Sequence, residues 1–326
     1  MTAITAERST GRDWSAWLRD NGVYAALVVL LVFNLVATAN FFTIDNARTQ
    51  LIQAAPVVVV ALGMALVIGT EGIDLSVGAV MALAAALLPL YLGYGVVPAL
   101  LIALAGGLLA GLINGSLVAL VGVQPIVATL ALFVGGRGLA LMLADGQLKS
   151  VRDPALLGLG RNEVLGIPLI VLTAAVVALV VAFVVQRTTY GRQLVAVGGN
   201  RRAAELSGLP VRRVLVTTYV VCSVLAAVAG IMATARLRAS DPSSIGLLFE
   251  LYAITAVVVG GTPLSGGKVR VLGTIAGALL MQLIDATLIK HNISDSWSQI
   301  TQAIIILAAV YVQLGRRGRT RKKVTR

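Results

Sequence analysis

Charged side chains are scarce in this sequence. Asp, Glu, Lys and Arg make up 12% of its 326 residues, whereas hydrophobic residues make up 58%. A soluble domain has about 25% charged residues, because charge keeps its surface in water. So little charge excludes an ordinary soluble domain, whereas a surface that faces lipid needs no polar coat. The composition therefore predicts a polytopic, all-α membrane protein.

Cysteine and histidine are nearly absent as well. Cys222 is the single cysteine and stands inside an apolar run, so it offers no disulfide and no metal-binding cluster. His291 is the single histidine, and one imidazole leaves few designs for a metal site or for acid–base catalysis. We therefore predict no catalytic residue, no metal ion and no cofactor in this chain.

The glycine-rich segment GGTPLSGGKVR, Gly260–Arg270, resembles a phosphate-binding loop only superficially. The Walker pattern requires a glycine, four residues, and then Gly-Lys followed by Ser or Thr. Here Thr262 occupies the first position, and Val269 follows Lys268. This segment is therefore not predicted to bind ATP.

Ten apolar runs approach the roughly 20 residues that a helix needs to cross a bilayer. The third and the eighth are short. The predicted spans are Val23–Ala39, Leu51–Gly69, Val77–Leu92, Val96–Leu120, Pro125–Leu143, Ile167–Val185, Val211–Ala235, Leu247–Val259, Val271–Ile289 and Ile300–Leu314.

Glycines recur every fourth residue in the fourth predicted span, at Gly107, Gly111 and Gly115. Small residues at this spacing let two helix backbones approach closely in lipid. We predict that this face packs against another helix rather than contacting a ligand.

The positions of Lys and Arg predict how the spans are oriented. If residues 1–21 are cytoplasmic, ten spans place most of the 26 basic residues on the cytoplasmic side. They lie in that tail, in the loop 187–213, near Lys268 and in the tail 315–326. Such asymmetry is typical of cytoplasmic loops, and it differs from the basic groove of a nucleic-acid-binding protein. We predict one transmembrane domain over residues 1–326, with both termini cytoplasmic and no nucleic acid bound.

The loop 187–213 carries the pattern of a short helix. Asn200 is a favourable N-cap, residues 201–207 are compatible with a helix, and Gly208 begins a stop signal that ends in proline. We predict a helix that docks a cytoplasmic partner. The alternative is that its arginines serve only to anchor the loop on the cytoplasmic side.

Polar groups occur where hydrocarbon is expected, and such groups are candidates for function. Asp74 lies in VIGTEGIDLSVGAV beside Glu71, and it can either line a pathway or cap the third span. Asn114 and Gln124 are further polar groups near the spans. Arg137 is expected to extend outward to the membrane interface.

The segment RLRASDPSSIGLLFE combines charges of both signs at Arg236, Arg238, Asp241 and Glu250. Mixed charge suits electrostatic docking of a soluble partner, and it suits an ordinary solvated loop equally well. Both interpretations stay open.

Four segments, in this order, resemble one protein family. They are GIDLSVGAVMAL (Gly72–Leu83), VQPIVATLALFVGGRGLA (Val123–Ala140), GRQLVAVGGNRRAAELSGLPVRRV (Gly191–Val214) and VVVGGTPLSGGKVRVLGTIAGALL (Val257–Leu280). They are similar to segments of the permeases of bacterial ATP-binding-cassette (ABC) monosaccharide importers, the ribose, xylose and galactofuranose group. Gln124-Pro125 and Glu250-Leu251 look closest to the galactofuranose-type branch. The chain departs from the pattern at Glu71, where relatives often carry a small residue.

The resemblance implies a ten-span permease fold of the vitamin-B12-importer type (type II ABC importer) in the bacterial cytoplasmic (inner) membrane. It implies a second permease copy or a paralogue, a tandem ABC ATPase inside, an extracytoplasmic sugar-binding protein outside, and a monosaccharide substrate. ATP hydrolysis then belongs to the partner, and this chain is not an enzyme.

Three groups of residues follow from the resemblance and from the segments above. Coupling to the ATPase is expected at Arg192, Asn200, Arg201, Ala203, Ala204 and Gly208. A translocation path or gate is expected at Asp74, Ser76, Asn114, Gln124, Pro125 and Thr129. Docking of the binding protein is expected at Arg236, Arg238, Asp241 and Glu250.

Two other functions stay open. A self-sufficient secondary transporter normally has a carboxylate at mid-membrane, and Asp285 in the ninth span is a candidate. An intramembrane enzyme, such as a lipid-linked sugar transferase, needs an acid–base or metal cluster. The carboxylates of this sequence are scattered singly, which disfavours the enzyme.

Overall fold

The computed structural model describes residues 14–293, 296–297, 299–301, 303–305 and 307. Helices dominate this part of the chain. They are α1 (Trp14–Ala37), α2 (Ile44–Gly69), α3 (Val77–Tyr91), α4 (Val96–Ser116), α5 (Pro125–Leu143), α6 (Pro154–Arg161), α7 (Leu169–Arg187), α8 (Thr189–Gly199), α9 (Arg201–Leu206), α10 (Val211–Leu237), α11 (Phe249–Val259) and α12 (Val271–Lys290). A 3-10 turn, Leu92–Tyr94, follows α3, and a π-helical turn, Leu117–Val121, follows α4.

Seven of the described helices are long and apolar enough to cross a membrane. They are α2, α3 with its 3-10 turn, α4 with its π-helical turn, α5, α7, α10 and α12. The apolar part of α1, Asn21–Ala37, and α11 are shorter apolar helices. The prediction of a polytopic helical membrane protein is confirmed. The predicted tenth span, Ile300–Leu314, lies largely outside the described residues, as do the two terminal tails.

Predicted and observed helix ends agree closely except at the start of α1 and α2. α2 begins at Ile44 rather than Leu51, and the Thr43 side chain accepts a hydrogen bond from the Asn46 N–H at 3.2 Å. The first turns of α2 contain Asp45 and Arg48, so a span predicted from hydrophobicity does not include these turns. The helix nevertheless continues, because backbone hydrogen bonding does not stop where the hydrocarbon ends.

The centre of the bundle is formed by α2 and α10. Every residue of α2 from Ala54 to Gly69 is buried, and α10 packs against α2, α3 and α4. α5 and α7 lie outside this pair and expose apolar side chains such as Leu179. A polar exterior is not needed there, because lipid solvates these side chains.

The glycine face predicted on α4 packs against α10. A Cβ atom on Gly111 would lie 2.6 Å from the Val220 Cα, and one on Gly115 would lie 2.9 Å from the Val216 Cα. No real side chain fits at such distances, so the two backbones are in direct contact. The prediction of close helix packing at this face is confirmed.

Replacing Gly111 with valine is expected to lower the free energy of unfolding by about 1–3 kcal/mol, the usual cost of overpacking. Gly135→Val on α5 is the matched control, because among the described residues no atom lies within 4 Å of its added Cβ. Thermal unfolding of the two purified variants in detergent measures the difference. Equal melting temperatures would contradict the packing role.

α3 begins inside the bundle, and together with its 3-10 turn it is 18 residues long. The non-helical segment 70–76 leaves the end of α2, with Gly72 against the Tyr219 hydroxyl group, and then α3 passes Gly230 at Met81. Tyr219 and Gly230 lie in the middle part of α10, so α3 starts beside the middle of that helix rather than at its end.

α11, a shorter helix of 11 residues, also begins inside the bundle. Gly78 in the first turn of α3 packs backbone to backbone against Gly246, which precedes α11 and has a φ of +74°. The two helices therefore meet with their N-termini inside the bundle and run to opposite ends of it. The succession of a long helix, a non-helical segment and a shorter helix that begins inside the bundle occurs twice, in α2–α3 and α10–α11, with inverted direction.

The segment between α5 and α7 is structured, although the sequence predicted only a loop. α6 packs against α10, and Asp153 caps it by accepting hydrogen bonds from the N–H groups of Ala155 and Leu156. Four two-residue strands flank it: β1 (Lys149–Ser150) pairs with β4 (Ala239–Ser240), and β2 (Glu163–Val164) pairs with β3 (Ile167–Pro168). We call this end of the bundle the α6 end, and the opposite one the α9 end.

Candidate functional site

Three polar side chains form a hydrogen-bonded chain at the start of α3. Asp74 Oδ1 accepts hydrogen bonds from the Ser76 N–H at 2.9 Å and from Ser76 Oγ at 2.6 Å. Asn114 Nδ2 on α4 donates to Ser76 Oγ at 2.9 Å. All three side chains are 0% exposed. We call Asp74, Ser76 and Asn114 the polar cluster; it unites three of the six residues predicted for a path.

The alternative role of Asp74 as a cap of the third span needs correction. Ser76 occupies the N-cap position of α3, and its side chain makes no capping hydrogen bond. Asp74 binds the amide of Ser76 instead, so it shapes the turn that leads into the helix. Glu71, by contrast, is exposed and has a φ of +66°.

α10 contributes polar side chains that the sequence reasoning missed. Tyr219, Cys222 and Ser223 are buried, and the Tyr219 hydroxyl group lies close to Gly72, two residues before Asp74. They stand in an apolar run without charge, so nothing marks them individually. Their i, i+3, i+4 spacing, which places them on one helix face, is the signal that could have found them.

Within the described residues, four buried oxygen atoms of the polar cluster and the adjacent face of α10 have no hydrogen-bond partner. They are Asp74 Oδ2, Asn114 Oδ1, Tyr219 OH and Ser223 Oγ. An unpaired buried group costs about 1–3 kcal/mol, so several at one place indicate a role other than stability. Hydroxyl and amide groups of this kind can exchange hydrogen bonds with a hydroxyl-rich solute.

Thr129 lies next to the segment that carries Asp74. Its Oγ1 donates to the Pro125 carbonyl at 2.9 Å and approaches the Ile73 carbonyl at 3.4 Å. Pro125 is the first residue of α5, as predicted, and Gln124 precedes it with an exposed side chain that makes no capping hydrogen bond. Thr129 thus lies close to the polar cluster, whereas Gln124 lies just before the first residue of α5.

The predicted coupling loop contains two helices instead of one. α8 was not predicted; it buries Leu194 and Val197 against the bundle, and its Tyr190 hydroxyl lies 2.8 Å from Thr218 Oγ1. Burial raises the pKa of Tyr190 to about 12. Arg192 on α8 is exposed. The apolar residues of α8 recur with a helical period, and this period is the signal that could have predicted the helix.

α9 has the ends that its sequence predicts. Asn200 Oδ1 accepts from the Ala203 N–H at 3.0 Å, which is an N-cap. At the other end Gly208 has a φ of +77°, and the Leu209 N–H donates to the Ala204 carbonyl at 3.1 Å, as in a Schellman motif. Ala203 is exposed and Ala204 is buried, so only one of the two alanines faces outward.

The residues predicted for docking at the α6 end separate into two groups. Arg238 is exposed, and Arg236 and Asp241 are partly exposed. Hydrogen bonds from the Ser243 side chain lower the pKa of Asp241, so its carboxylate stays charged near neutral pH. Glu250 is only 5% exposed and lies against Gly78. The docking prediction for Glu250 is thus corrected, since its carboxylate is not accessible to a soluble partner.

Arg137 does not extend to the membrane interface, contrary to expectation. Its Nη1 donates to the carbonyls of Pro242 and Ile245, and its Nη2 to the carbonyl of Gly246, each at 2.9 Å. The planar guanidinium group can bind several carbonyls at once. Arg137 therefore holds the segment that enters the bundle before α11.

Comparison with known proteins agrees with these features. Residues 46–310 match the family described as branched-chain amino acid transport system / permease component. The galactofuranose transporter permease protein YtfT of Escherichia coli (strain K12) is 39% identical over 299 residues, which are 89% of this chain and 87% of that protein. The ribose import permease protein RbsC of the same strain is 37% identical over 317 residues, 95% of this chain and 98% of that protein.

A third relative is the fructose import permease protein FruF of Bifidobacterium longum (strain NCC 2705), 36% identical over 271 residues, 81% of this chain and 76% of that protein. No solved structure matches the chain. The relatives and the apolar helices identify a multi-pass protein of the inner membrane. The resemblance seen in the sequence motifs is confirmed, and the chain belongs to this family of permease components of ABC importers.

Proposed function

We propose that this chain forms the translocation path for a monosaccharide in an ABC importer. The observation that carries the proposal is the polar cluster, a set of fully buried amide, hydroxyl and carboxylate groups at the point where α3 begins. A neutral sugar needs several weak hydrogen-bonding groups, so that it can enter and also leave. The names of the relatives support a sugar, since they include galactofuranose, ribose and fructose.

The proposal includes the finer architecture implied by the resemblance. Residues 1–326 form one domain with ten spans and the vitamin-B12-importer type of fold, and both termini are cytoplasmic. The α9 end is then the cytoplasmic end, which agrees with the basic residues of α8 and α9. Two permeases, a second copy or a paralogue, form the pair between which the sugar crosses.

Energy enters from a partner protein at the α9 end. A tandem ABC ATPase binds α8 and α9, and its closure on ATP moves these helices relative to the spans. At the α6 end an extracytoplasmic sugar-binding protein docks near Arg236, Arg238 and Asp241 and releases the sugar. The path residues Asp74, Ser76, Asn114 and Thr129, with Gln124 and Pro125 at its cytoplasmic end, are then exposed alternately to the two sides.

Uptake assays test the proposed function. Cells that express the chain with its ATPase and binding protein are expected to accumulate at least one of radiolabelled ribose, fructose and galactose. This accumulation should stop when ATP is depleted. Uptake that survives ATP depletion and follows an ion gradient would identify a secondary transporter instead. Uptake of none of the sugars would reject the proposed substrate class.

Ala203→Arg is expected to uncouple ATP hydrolysis from transport without unfolding the protein. Ala203 is exposed on α9, so the larger side chain is tolerated by the permease but obstructs a partner that packs on this helix. Uptake is expected to fall about tenfold or more, because the loss of a contact worth about 1.4 kcal/mol weakens binding about tenfold.

The matched control is Ala47→Arg, which makes the same substitution at an exposed position in the first turn of α2. It should transport at the wild-type rate, and both variants should melt at the wild-type temperature. Full transport by Ala203→Arg would argue strongly against the assignment of α9 as the coupling helix.

A further inference from the structure

Three glycines meet where α2, α8 and the loop between α11 and α12 converge. We call Gly69, Gly198 and Gly267 the glycine junction. We propose that this junction transmits the movement of α8 and α9 to α3 and α11, the two helices that begin inside the bundle, and that these two helices act together as the moving gate. The proposal rests on the proposed function, because it assumes that a partner moves α8 and α9.

The contacts at the junction are made by backbone atoms. The Gly267 N–H donates to the Gly69 carbonyl at 3.0 Å, and this carbonyl is one of those that a helix end leaves unpaired. A Cβ atom on Gly198 would overlap the Gly69 carbonyl and lie 2.8 Å from the Gly267 nitrogen. Backbone atoms have no rotamers that could absorb a displacement, so a shift of α8 must move its two neighbours.

The first arm of the junction leads from Gly69 to α3. Tight turns follow Gly69: the Glu71 N–H donates to the Ile68 carbonyl at 2.9 Å, and the Gly72 N–H donates to the Val67 carbonyl at 3.0 Å. Asp74 comes two residues later and binds Ser76 at the start of α3. A short, hydrogen-bonded stretch thus joins the junction to the polar cluster.

The second arm leads from Gly267 to α11. The Gly261 and Thr262 N–H groups donate to carbonyls of the last turn of α11, at 3.0 and 3.1 Å, and Thr262 Oγ1 accepts from the Arg270 N–H at 3.0 Å. The loop 260–270 is therefore closed on itself and attached to the end of α11. It moves with that helix as one unit.

Both arms end at the same place. The N-termini of α3 and α11 meet where Gly78 packs against Gly246. A displacement that enters at Gly198 therefore reaches both sides of this contact through the two arms. α3 and α11 are the helices to which the two arms lead, so they are the elements that should move.

Two neighbouring glycines of α8 provide a matched pair of variants. Gly198→Ala places a methyl group on the Gly69 carbonyl, whereas the Cβ of Gly199→Ala would lie 3.9 Å from the Gly267 Cα, an ordinary contact. Both changes favour the helix equally by intrinsic propensity. In the complete importer, Gly198→Ala is expected to lower ATP-dependent uptake of the transported sugar at least about tenfold, while ATP hydrolysis continues. Gly199→Ala should stay near the wild-type rate.

Spin labels test the junction without changing its packing. Labels on the exposed residues Ser207 and Ser265 report the distance between α9 and the loop 260–270. In the complete importer this distance should be the same with and without ATP, whereas the distance from Ser265 to a label on Gln147 at the α6 end should change. A distance between Ser207 and Ser265 that changes with ATP, or normal uptake by a folded Gly198→Ala variant, would overturn the proposal. A wild-type importer that takes up no sugar would reject the proposed function instead.

Discussion

Replacing Asp74 with alanine is expected to abolish uptake and to lower the free energy of unfolding by about 2–4 kcal/mol. The carboxylate is fully buried and accepts two hydrogen bonds from Ser76, one of them at 2.6 Å. Hydrogen bonds to charged groups contribute about 1.5–3 kcal/mol each, and part of this is offset because a buried carboxylate is no longer desolvated. Without Asp74 the turn before α3 loses its shape, and Asn114 loses the position that Ser76 gives it.

Asp74→Asn separates the hydrogen bonds from the charge. An asparagine oxygen can still accept from Ser76, so this variant should keep most of its stability, and its uptake then measures what the charge contributes. Glu71→Asn is the matched control, since Glu71 is exposed and asparagine tolerates its positive φ. Uptake and thermal unfolding in detergent are the measurements. Wild-type uptake by the Asp74→Ala variant would show that Asp74 does not belong to the path.

Replacing Arg137 with alanine is expected to cost about 3 kcal/mol of stability and to release the segment 241–248. Three backbone carbonyls lose their charged donor at once, and carbonyls left unpaired in an apolar surrounding are costly. Arg137→Lys should rescue only part of the loss, because a single ammonium group cannot bind three carbonyls in the geometry of a planar fork.

Limited proteolysis and thermal unfolding measure this effect. We expect faster cleavage within 241–248 and a lower melting temperature for Arg137→Ala. Arg152→Ala, which removes an exposed arginine near the same end, should change neither. Unchanged cleavage in Arg137→Ala would show that the segment is held by its other contacts, such as that between Gly246 and Gly78.

The two buried carboxylates have a physical reason to be where they are. The N-terminus of a helix carries a partial positive charge, and the N-termini of α3 and α11 meet inside the bundle. Glu250 is the second residue of α11 and lies against Gly78 in the first turn of α3. Asp74 lies just before the same helix. Both carboxyl groups thus lie at helix N-termini, where a negative charge costs less than elsewhere in a region that lipid surrounds.

The pattern of hydrophobicity was sufficient for the spans. An apolar run of the right length has no favourable alternative to a helix in lipid, so the bounds of the long apolar helices α3, α4, α5, α7, α10 and α12, and of the shorter α11, could be predicted closely. The capped helix α9 was equally predictable, because Asn200 and Gly208 act on their immediate neighbours. The close packing of α4 was predictable from Gly107, Gly111 and Gly115, although the partner helix was not.

Other elements escaped prediction for reasons of distance or context. α8 escaped because its apolar face is short and stands beside basic residues. Arg137 was expected at the interface, since nothing local to it reveals carbonyls that follow about a hundred residues later. Tyr219, Cys222 and Ser223 look like ordinary residues of an apolar run until α10 is placed beside Asp74.

The sequence by itself determined a helical membrane protein, most of its span boundaries, and the family to which it belongs. These depend on composition, local hydrogen bonding and motifs that are continuous in the chain. Only the tertiary structure decided that Asp74, Ser76 and Asn114 form one cluster, that Glu250 is buried, and that α3 and α11 meet at their N-termini. The physical reason is that these features are contacts between distant segments, whose partners are chosen by packing and charge in three dimensions rather than by neighbouring residues.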